Sequence, residues 1–322
     1  MTIAVCSWGE GSRGAPESLT LARGSLGGSG EELRWVVLDP AGEGHAEIGA
    51  RFGATAVDRI WDEPLADFPD DACVEALAQY CKMLQPRVLI FPQSFQSHVV
   101  APRLAGRLET AVVMNVVSAQ APDASDALQV TASAFGGDTR VVYALSGPSP
   151  YILGVGATAV QAEPLPDPVP AIPVNEVAVD LAGVDERVRV VERARAEGPR
   201  LEDAEIIVSG GRGLGSQENY KLIQELASAL GGMAGASRPL VDDGWVDASR
   251  QVGLTGKITR PSLYVAVGIS GASQHMAGCA AAKTLVAINR DRDAAIFRYA
   301  RYGIEGDCLE ILPELIRAAR ED

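Results

Sequence analysis

In the first half of the chain, short apolar runs typical of strands alternate with segments whose apolar residues recur at the spacing of a helix. Repetition of strand and helix predicts a largely parallel sheet covered on both faces. The predicted strands span residues 3–7, 33–38, 87–91, 111–117, 128–134 and 140–145, and the predicted helices span residues 69–84 and 99–108.

The same alternation returns after residue 200. The pattern predicts strands at 204–208, 263–267 and 284–288, and helices at 217–230, 272–281 and 309–320. Two of these strands run directly into glycine-rich turns that open helices. A second parallel α/β sheet is therefore expected in this part of the chain.

A proline-rich segment separates the two halves. Residues 164–173 contain five prolines in ten, which neither a helix nor a central strand tolerates. Residues 176–191 alternate well enough for two short strands, and a polar stretch follows. We place the boundary near residue 195, so that the fold class is α/β with two domains, 1–194 and 195–322, each a mostly parallel doubly wound sheet.

The charge balance narrows the classes of function. The chain has 28 Lys and Arg against 42 Asp and Glu, a net charge of −14, which disfavours binding to nucleic acid and to anionic membrane surfaces. Residues 1–193 hold 13 basic and 25 acidic residues, so −12 of the −14 lies there. No apolar stretch approaches the roughly 18 residues of a membrane-spanning helix, and we expect a soluble protein.

The five cysteines are scattered and contain no Cys-x-x-Cys pair, which argues against a zinc or iron–sulfur site and for a reducing compartment. The chain begins with an apolar segment that lacks the features of a targeting leader. A cytoplasmic location is therefore expected.

Two glycine-rich turns carry the main chemical signal. They span residues 209–216 and 268–275, and each follows an apolar strand and opens a helix. Such turns bring backbone N–H groups and a helix N-terminus close to a phosphate, although they also simply turn the chain. Two of them in one parallel sheet indicate a nucleotide lying across the carboxyl ends of the strands. As a dinucleotide fingerprint the first turn is weak, because Ser216 replaces its third glycine and no acidic residue follows at the usual distance.

Further polar residues follow the predicted strands. The loop 251–257 has two glycines around Thr255, and Asn289 and Asp307 stand where they could bind a ribose or an adenine edge. Asn and Asp are also the commonest turn residues, so both interpretations stay open.

At this point the residues resemble a known family. The segments VSGGRGLGSQENYKLIQELASALG, GASRPLVDDGW, QVGLTGK, LYVAVGISGASQHMAG, VAINRD and YGIEGD occur in the order and at the spacing of the alpha subunit of electron-transferring flavoproteins. The resemblance implies a Rossmann-like FAD-binding domain at residues 195–322 and an N-terminal domain that contacts a beta subunit.

The resemblance also implies a function and partners. It implies one FAD per heterodimer in this chain, with AMP or a second FAD left open for the beta subunit. The protein would be an electron carrier that accepts electrons from flavin dehydrogenases and passes them to a quinone reductase or similar acceptor. The FAD contacts carried over by position are Arg212, Ser237, Arg238, Val252, Gly253, Leu254, Thr255, Ser270, Gly271, Ala272, Ser273, Gln274, His275, Asn289, Asp307 and Cys308.

Single-electron transfer requires that negative charge developing on the flavin ring be stabilised. Arg238 and His275 are the expected positive groups, and Thr255 is expected to offer its hydroxyl to the ring. A guanidinium about 4 Å from such charge contributes roughly 4 kcal/mol at an effective dielectric constant near 20. Leu254 replaces a glutamine that the family commonly has, so one side-chain hydrogen bond is lost.

Other classes remain open at this stage. Arg238 would also suit the 2′-phosphate of NADP in an enzyme, and an adenine-nucleotide sensor would use similar turns. Some members of the family split electron pairs between two acceptors, which depends on the other subunit.

Overall fold

The structure is a computed structural model that describes residues 2–8, 14–27, 31–39, 44–66, 69–120, 127–134, 139–156, 159–188, 191 and 199–321. These residues form two compact units, one up to residue 191 and one from residue 199. The predicted boundary near residue 195 lies outside the described residues.

The first unit contains, among its described residues, a nine-stranded sheet with the order β7-β6-β5-β8-β4-β1-β2-β3-β9. Neighbouring strands are parallel except at the β5–β6 and β6–β7 pairs. The prediction of a mostly parallel sheet is therefore confirmed. The strands are β1 Thr2–Trp8, β2 Glu32–Leu38, β3 Ala56–Ile60, β4 Val88–Pro92, β5 Val112–Gln120, β6 Leu128–Ala134, β7 Thr139–Leu145, β8 Tyr151–Val155 and β9 Val174–Glu176.

Helices cover both faces of this sheet. Apolar side chains of α3 and α4 form one buried cluster with the strands, and those of α1 form another. Clusters on both faces explain why the central strands are apolar throughout instead of alternating. The helices are α1 Ala15–Leu21, continued by a π-helical turn Ala22–Leu26, α2 His45–Arg51, α3 Asp70–Leu84 and α4 Phe95–Leu108.

A segment after β9 crosses the N-terminus of α3. The Glu186 carboxylate accepts hydrogen bonds from the N–H groups of Asp71 and Ala72, at 3.0–3.1 Å. The carboxylate thereby satisfies amides that have no partner inside the helix. The prediction of two strands in residues 176–191 was wrong for the described part, since residues 177–188 contain no strand and instead pack beside α3. Side-chain contacts to α3, which no local pattern encodes, replace strand pairing here.

The second unit contains, within residues 199–321, a fully parallel six-stranded sheet with the order β12-β11-β10-β13-β14-β15. Helices α5 and α8 cover one face and α7 the other. The strands are β10 Ile206–Gly210, β11 Met233–Ser237, β12 Gln251–Val252, β13 Leu263–Val267, β14 Thr284–Asn289 and β15 Tyr302–Glu305, and the helices are α5 Tyr220–Ala229, α6 Arg238–Asp242, α7 Ser273–Cys279 and α8 Cys308–Glu321.

Candidate functional site

Both glycine-rich turns lie at the point where the strand order of the second unit reverses. β10 and β13 are neighbours, and their last residues, Gly210 and Val267, are paired. From β10 the chain continues to β11 and β12 on one side, whereas β14 and β15 lie beyond β13 on the other. Open α/β sheets bind their ligands in the crevice at this reversal point.

The two turns are packed backbone to backbone. A Cβ atom built at Gly213 would lie 2.6 Å from Cα of Gly268, and one built at Gly268 would lie 2.8 Å from Cα of Gly213. The N–H groups of Gly211 and Gly213 donate to the carbonyl oxygens of Val267 and Gly268, at 2.9 and 3.0 Å. These two amides are therefore engaged by the protein and do not face a ligand.

The second turn leaves free backbone donors at the start of α7. Gly271 has φ +84°, and a Cβ there would lie 2.3 Å from the nitrogen of Ile296, so only glycine fits. The Ile296 N–H donates to the Ser270 carbonyl at 3.0 Å and holds the turn in place. No described protein group accepts from the N–H groups of Ser273 and Gln274 at the start of α7. These amides are therefore left free to donate to an anionic group.

A cleft of about 650 Å³ runs along the carboxyl ends of these strands, a size typical of cofactor sites. It brings most of the predicted site residues together. Those that line it are Arg212, Ser237, Arg238, Val252, Gly253, Leu254, Thr255, Ser270, Ala272, Gln274, His275 and Asn289.

Other residues of the cleft did not appear in the sequence prediction of contacts. Gly213, Gln251, Gly268 and Ile269 belong to the predicted turns and loop, so membership of those motifs would have found them. Arg290 and Asp291 follow Asn289 directly. Pro239 directly follows Arg238 in the segment GASRPLVDDGW. Ala294 carries no signal in the sequence, since only the fold brings it to the cleft.

Four predicted residues do not line the cleft: Gly271, Ser273, Asp307 and Cys308. Asp307 precedes α8, and its Oδ1 accepts a hydrogen bond from the N–H of Leu309 at 2.8 Å. Cys308 is buried, and its thiol lies 3.5 Å from the Gly213 carbonyl oxygen. Both side chains therefore stabilise the protein itself.

Three arginines line the cleft, and two of them, Arg212 and Arg238, pair with nearby carboxylates. Arg212 makes two hydrogen bonds to the Asp243 carboxylate, with Nε and Nη2 at 3.0 and 3.1 Å from its oxygens. Arg238 makes a single bond, 3.2 Å from Nε to Oδ2 of Asp242, and 63% of its side chain is exposed. Arg238 thus keeps more of its donors available to a ligand than Arg212 does.

His275 is held as a neutral side chain. Its Nδ1 lies 3.1 Å from the Val252 carbonyl oxygen, and its Nε2 lies 3.1 Å from the Tyr264 hydroxyl. Burial lowers the pKa of His275 to about 4. The expectation of a positive charge on His275 is therefore wrong at neutral pH, because the sequence could not show how deeply the ring is buried.

The loop after β12 is fixed against α7. The Leu254 N–H donates to the Gln274 carbonyl at 2.7 Å, and the Gly253 N–H donates to the Lys257 carbonyl at 3.1 Å. The Thr255 hydroxyl accepts from the Gln251 side-chain amide at 3.0 Å, which leaves its own proton for another acceptor. Leu254 is 45% exposed and adds apolar surface to the cleft.

Asn289 organises the turn after β14. Its amide nitrogen donates to the Ile269 carbonyl at 2.9 Å, and its Oδ1 accepts from the N–H of Asp291 at 3.0 Å. The side chain thus joins the second glycine-rich turn to residues 290–291. Both polar groups of the Asn289 side chain therefore hydrogen-bond to the protein.

The cleft combines three arginines, free amides and an apolar loop, which suits a ligand with phosphates and a flat ring system. Within the described ranges, no cluster of three His, Cys, Asp or Glu residues is placed to hold a metal ion. All five cysteines are buried free thiols. No described helix is both long and apolar enough to cross a membrane.

Comparisons with known proteins cover both units. Residues 200–280 match the family model described as the electron transfer flavoprotein FAD-binding domain, and residues 17–182 match the one described as the electron transfer flavoprotein domain. The chain is 36% identical over 272 residues to the electron transfer flavoprotein subunit alpha of Thermoanaerobacterium thermosaccharolyticum, covering 84% of this chain and 82% of that protein. It is 35% identical over 294 residues to protein FixB of Clostridium saccharobutylicum, covering 91% and 87%.

Proposed function

Because the chain belongs to the electron transfer flavoprotein alpha-subunit family, we propose that its second unit holds one FAD in the cleft described above. The protein would act as a one-electron carrier without catalysing a reaction of its own. The observation that supports this proposal is that the matched FAD-binding segment and the cleft overlap. The segment matching the FAD-binding domain contains both glycine-rich turns, the loop after β12 and most of the cleft.

The residues of the cleft divide into three parts. The free amides at the start of α7 would hold the phosphates, with Arg212 nearby as a further cation. Residues 289–291 would hold the adenosine end. The loop Val252–Thr255 and Arg238 would hold the ring system, where Thr255 donates its hydroxyl proton and Leu254 excludes water. The bound flavin supplies the redox chemistry, and the protein positions it.

Arg238 is the residue proposed to set the reduction potential. We expect Arg238→Ala to lower the one-electron potential of the flavin, because a positive charge near the ring is removed. A unit charge at about 4 Å contributes about 1 kcal/mol in a water-like dielectric, and this smaller figure applies because Arg238 is largely exposed. At 59 mV per tenfold change, the shift is about 40 mV.

Spectroelectrochemical titration measures this shift. Arg238→Lys keeps the charge and serves as the matched control, so its potential should stay within about 15 mV of the parent, roughly the change of a few tenths of a kcal/mol expected of a neutral surface substitution. If the alanine and lysine variants titrate alike, the charge of Arg238 does not act on the flavin.

We further propose that the chain works as a heterodimer with a beta subunit, which its first unit contacts. Flavin dehydrogenases would donate electrons, and a membrane-bound or soluble quinone reductase or similar acceptor would receive them. Co-expression with a beta subunit, followed by flavin and AMP analysis of the complex, tests this proposal. It predicts one FAD in the alpha subunit, and any AMP or second FAD would belong to the beta subunit.

An absorption spectrum separates this proposal from its alternatives. A flavoprotein is yellow and releases FAD on denaturation. A colourless complex that stays flavin-free after incubation with FAD, but binds NADP or ATP, would refute the carrier function.

A further inference from the structure

A buried hydrogen-bonded chain lies directly beneath the cleft. Tyr264 stands on β13 and is fully buried, and its hydroxyl lies 3.1 Å from Nε2 of His275 on α7. On the other side of the ring, Nδ1 lies 3.1 Å from the carbonyl oxygen of Val252. Three separate elements, β13, α7 and the end of β12, are thus joined through one imidazole.

The chemistry of the three groups fixes the position of the protons. A carbonyl oxygen only accepts, so Nδ1 must carry the hydrogen that is donated to Val252. A neutral imidazole has one N–H, so Nε2 must accept, and the Tyr264 hydroxyl must donate to it. Protonation of His275 would place a donor at Nε2 and force the Tyr264 proton towards another acceptor in a fully buried position.

The carbonyl that His275 holds belongs to the loop that lines the cleft. Val252 begins this loop, and its next residue, Gly253, packs tightly on α7: a Cβ at Gly253 would lie 2.9 Å from the Gln274 carbonyl oxygen. The Leu254 N–H donates to that same oxygen at 2.7 Å. The loop is therefore attached to α7 at two points, and one of them passes through the His275 ring.

We infer that Tyr264 is a positioning residue of the cleft: its hydroxyl holds His275 as the neutral tautomer protonated at Nδ1, and His275 then fixes the loop Val252–Thr255. The ring thus contributes shape and not charge to the site. The inference rests on the proposed function, because the loop Val252–Thr255 is the part of the cleft proposed to hold the flavin ring. Tyr264 itself does not line the cleft and acts only through His275.

Nitrogen NMR of the full-length protein, purified in its complex and labelled with ¹⁵N-histidine, tests the inference. His275→Gln identifies the His275 signals by difference. In the parent protein at pH 8, we expect His275 to be neutral with its proton on Nδ1. A proton on Nε2, or a charged ring, would overturn the inference.

Tyr264→Phe tests the hydroxyl, and Tyr220→Phe is the matched control. Tyr220 is also buried in the second unit, but its hydroxyl donates to the Gly235 carbonyl oxygen, 3.1 Å away, instead of to His275. We expect Tyr264→Phe to shift His275 to a mixture of tautomers. Loss of one hydrogen bond should also make exchange of the Leu254 amide about five-fold faster, whereas Tyr220→Phe changes neither. If both variants keep the parent tautomer and exchange rate, Tyr264 has no positioning role.

The tautomer of His275 and the affinity for FAD are measured separately, so a failure of this inference can be told apart from a failure of the proposed function. A protein with the expected tautomer but no affinity for FAD would refute the proposed function alone. A protein that binds FAD with His275 protonated at Nε2 would refute this inference alone.

Discussion

His275 should make the second unit sensitive to acid. The perturbation is a decrease in pH from 7 to 4, applied to the parent protein and to His275→Gln. Burial lowers the pKa of His275 from 6.5 to about 4. In the unfolded chain the imidazole recovers its ordinary pKa.

The sign and size of the effect follow from these two values. Between about pH 6.5 and pH 4, the unfolded chain binds a proton that the folded protein does not bind, so the stability falls as the pH falls through this window. Above about pH 6.5 both states are neutral, and the contribution is constant. At 1.36 kcal/mol per unit of pKa, the free energy of unfolding should fall by about 3 kcal/mol by pH 4.

Urea unfolding at a series of pH values, followed by the fluorescence of Trp245 in the second unit, measures this slope. The other three tryptophans, Trp8, Trp35 and Trp61, lie in the first unit. They are replaced by Phe in every protein compared, so that the fluorescence comes from Trp245 alone. His45, whose pKa burial also lowers, lies in the first unit and contributes equally to each protein. We expect His275→Gln to flatten the slope, and His98→Gln, which replaces an imidazole of the first unit, to leave it unchanged. Equal slopes in the parent and in His275→Gln would refute the argument that His275 is buried as a neutral group.

Two further substitutions test the packing of the site. Gly213→Ala should destabilise the second unit by about 1–3 kcal/mol in urea unfolding, because its Cβ would lie 2.6 Å from Cα of Gly268 and push the two turns apart. Gly106→Ala, where a Cβ meets open space within α4, should not destabilise the first unit. Equal losses of stability in the two variants would show that the turns are not in close contact. Asp307→Ala should lower the free energy of unfolding by about 1 kcal/mol through loss of the hydrogen bond from the Leu309 N–H at the start of α8, and should leave the flavin potential unchanged. Asp307→Asn should keep most of the parent stability. Weaker FAD retention without any loss of stability would place Asp307 in the cofactor site instead.

Much of the architecture could be predicted from local pattern. Strands 128–134 and 263–267 begin and end where their apolar runs do. The two glycine-rich turns were located correctly because glycine spacing at the end of an apolar strand is a local signal. Strands Ala56–Ile60 and Met233–Ser237 were missed, since one carries Asp58 and Arg59 and the other is mostly small residues. Their pairing with neighbouring strands, which is not visible in the sequence, decides their conformation.

The chemical state of the site depends on distant contacts. The sequence determined which residue types follow β10, β13 and β14, and therefore that a polar cleft forms at their carboxyl ends. It could not determine that Gly211 and Gly213 donate to the neighbouring turn instead of a ligand, or that Asp307 caps α8. The neutral state of His275 depends on the burial of its ring, and the position of its proton depends on Tyr264 and Val252, 11 and 23 residues away. Charge and hydrogen bonding depend on burial and on neighbours in space, and only the tertiary structure decides these.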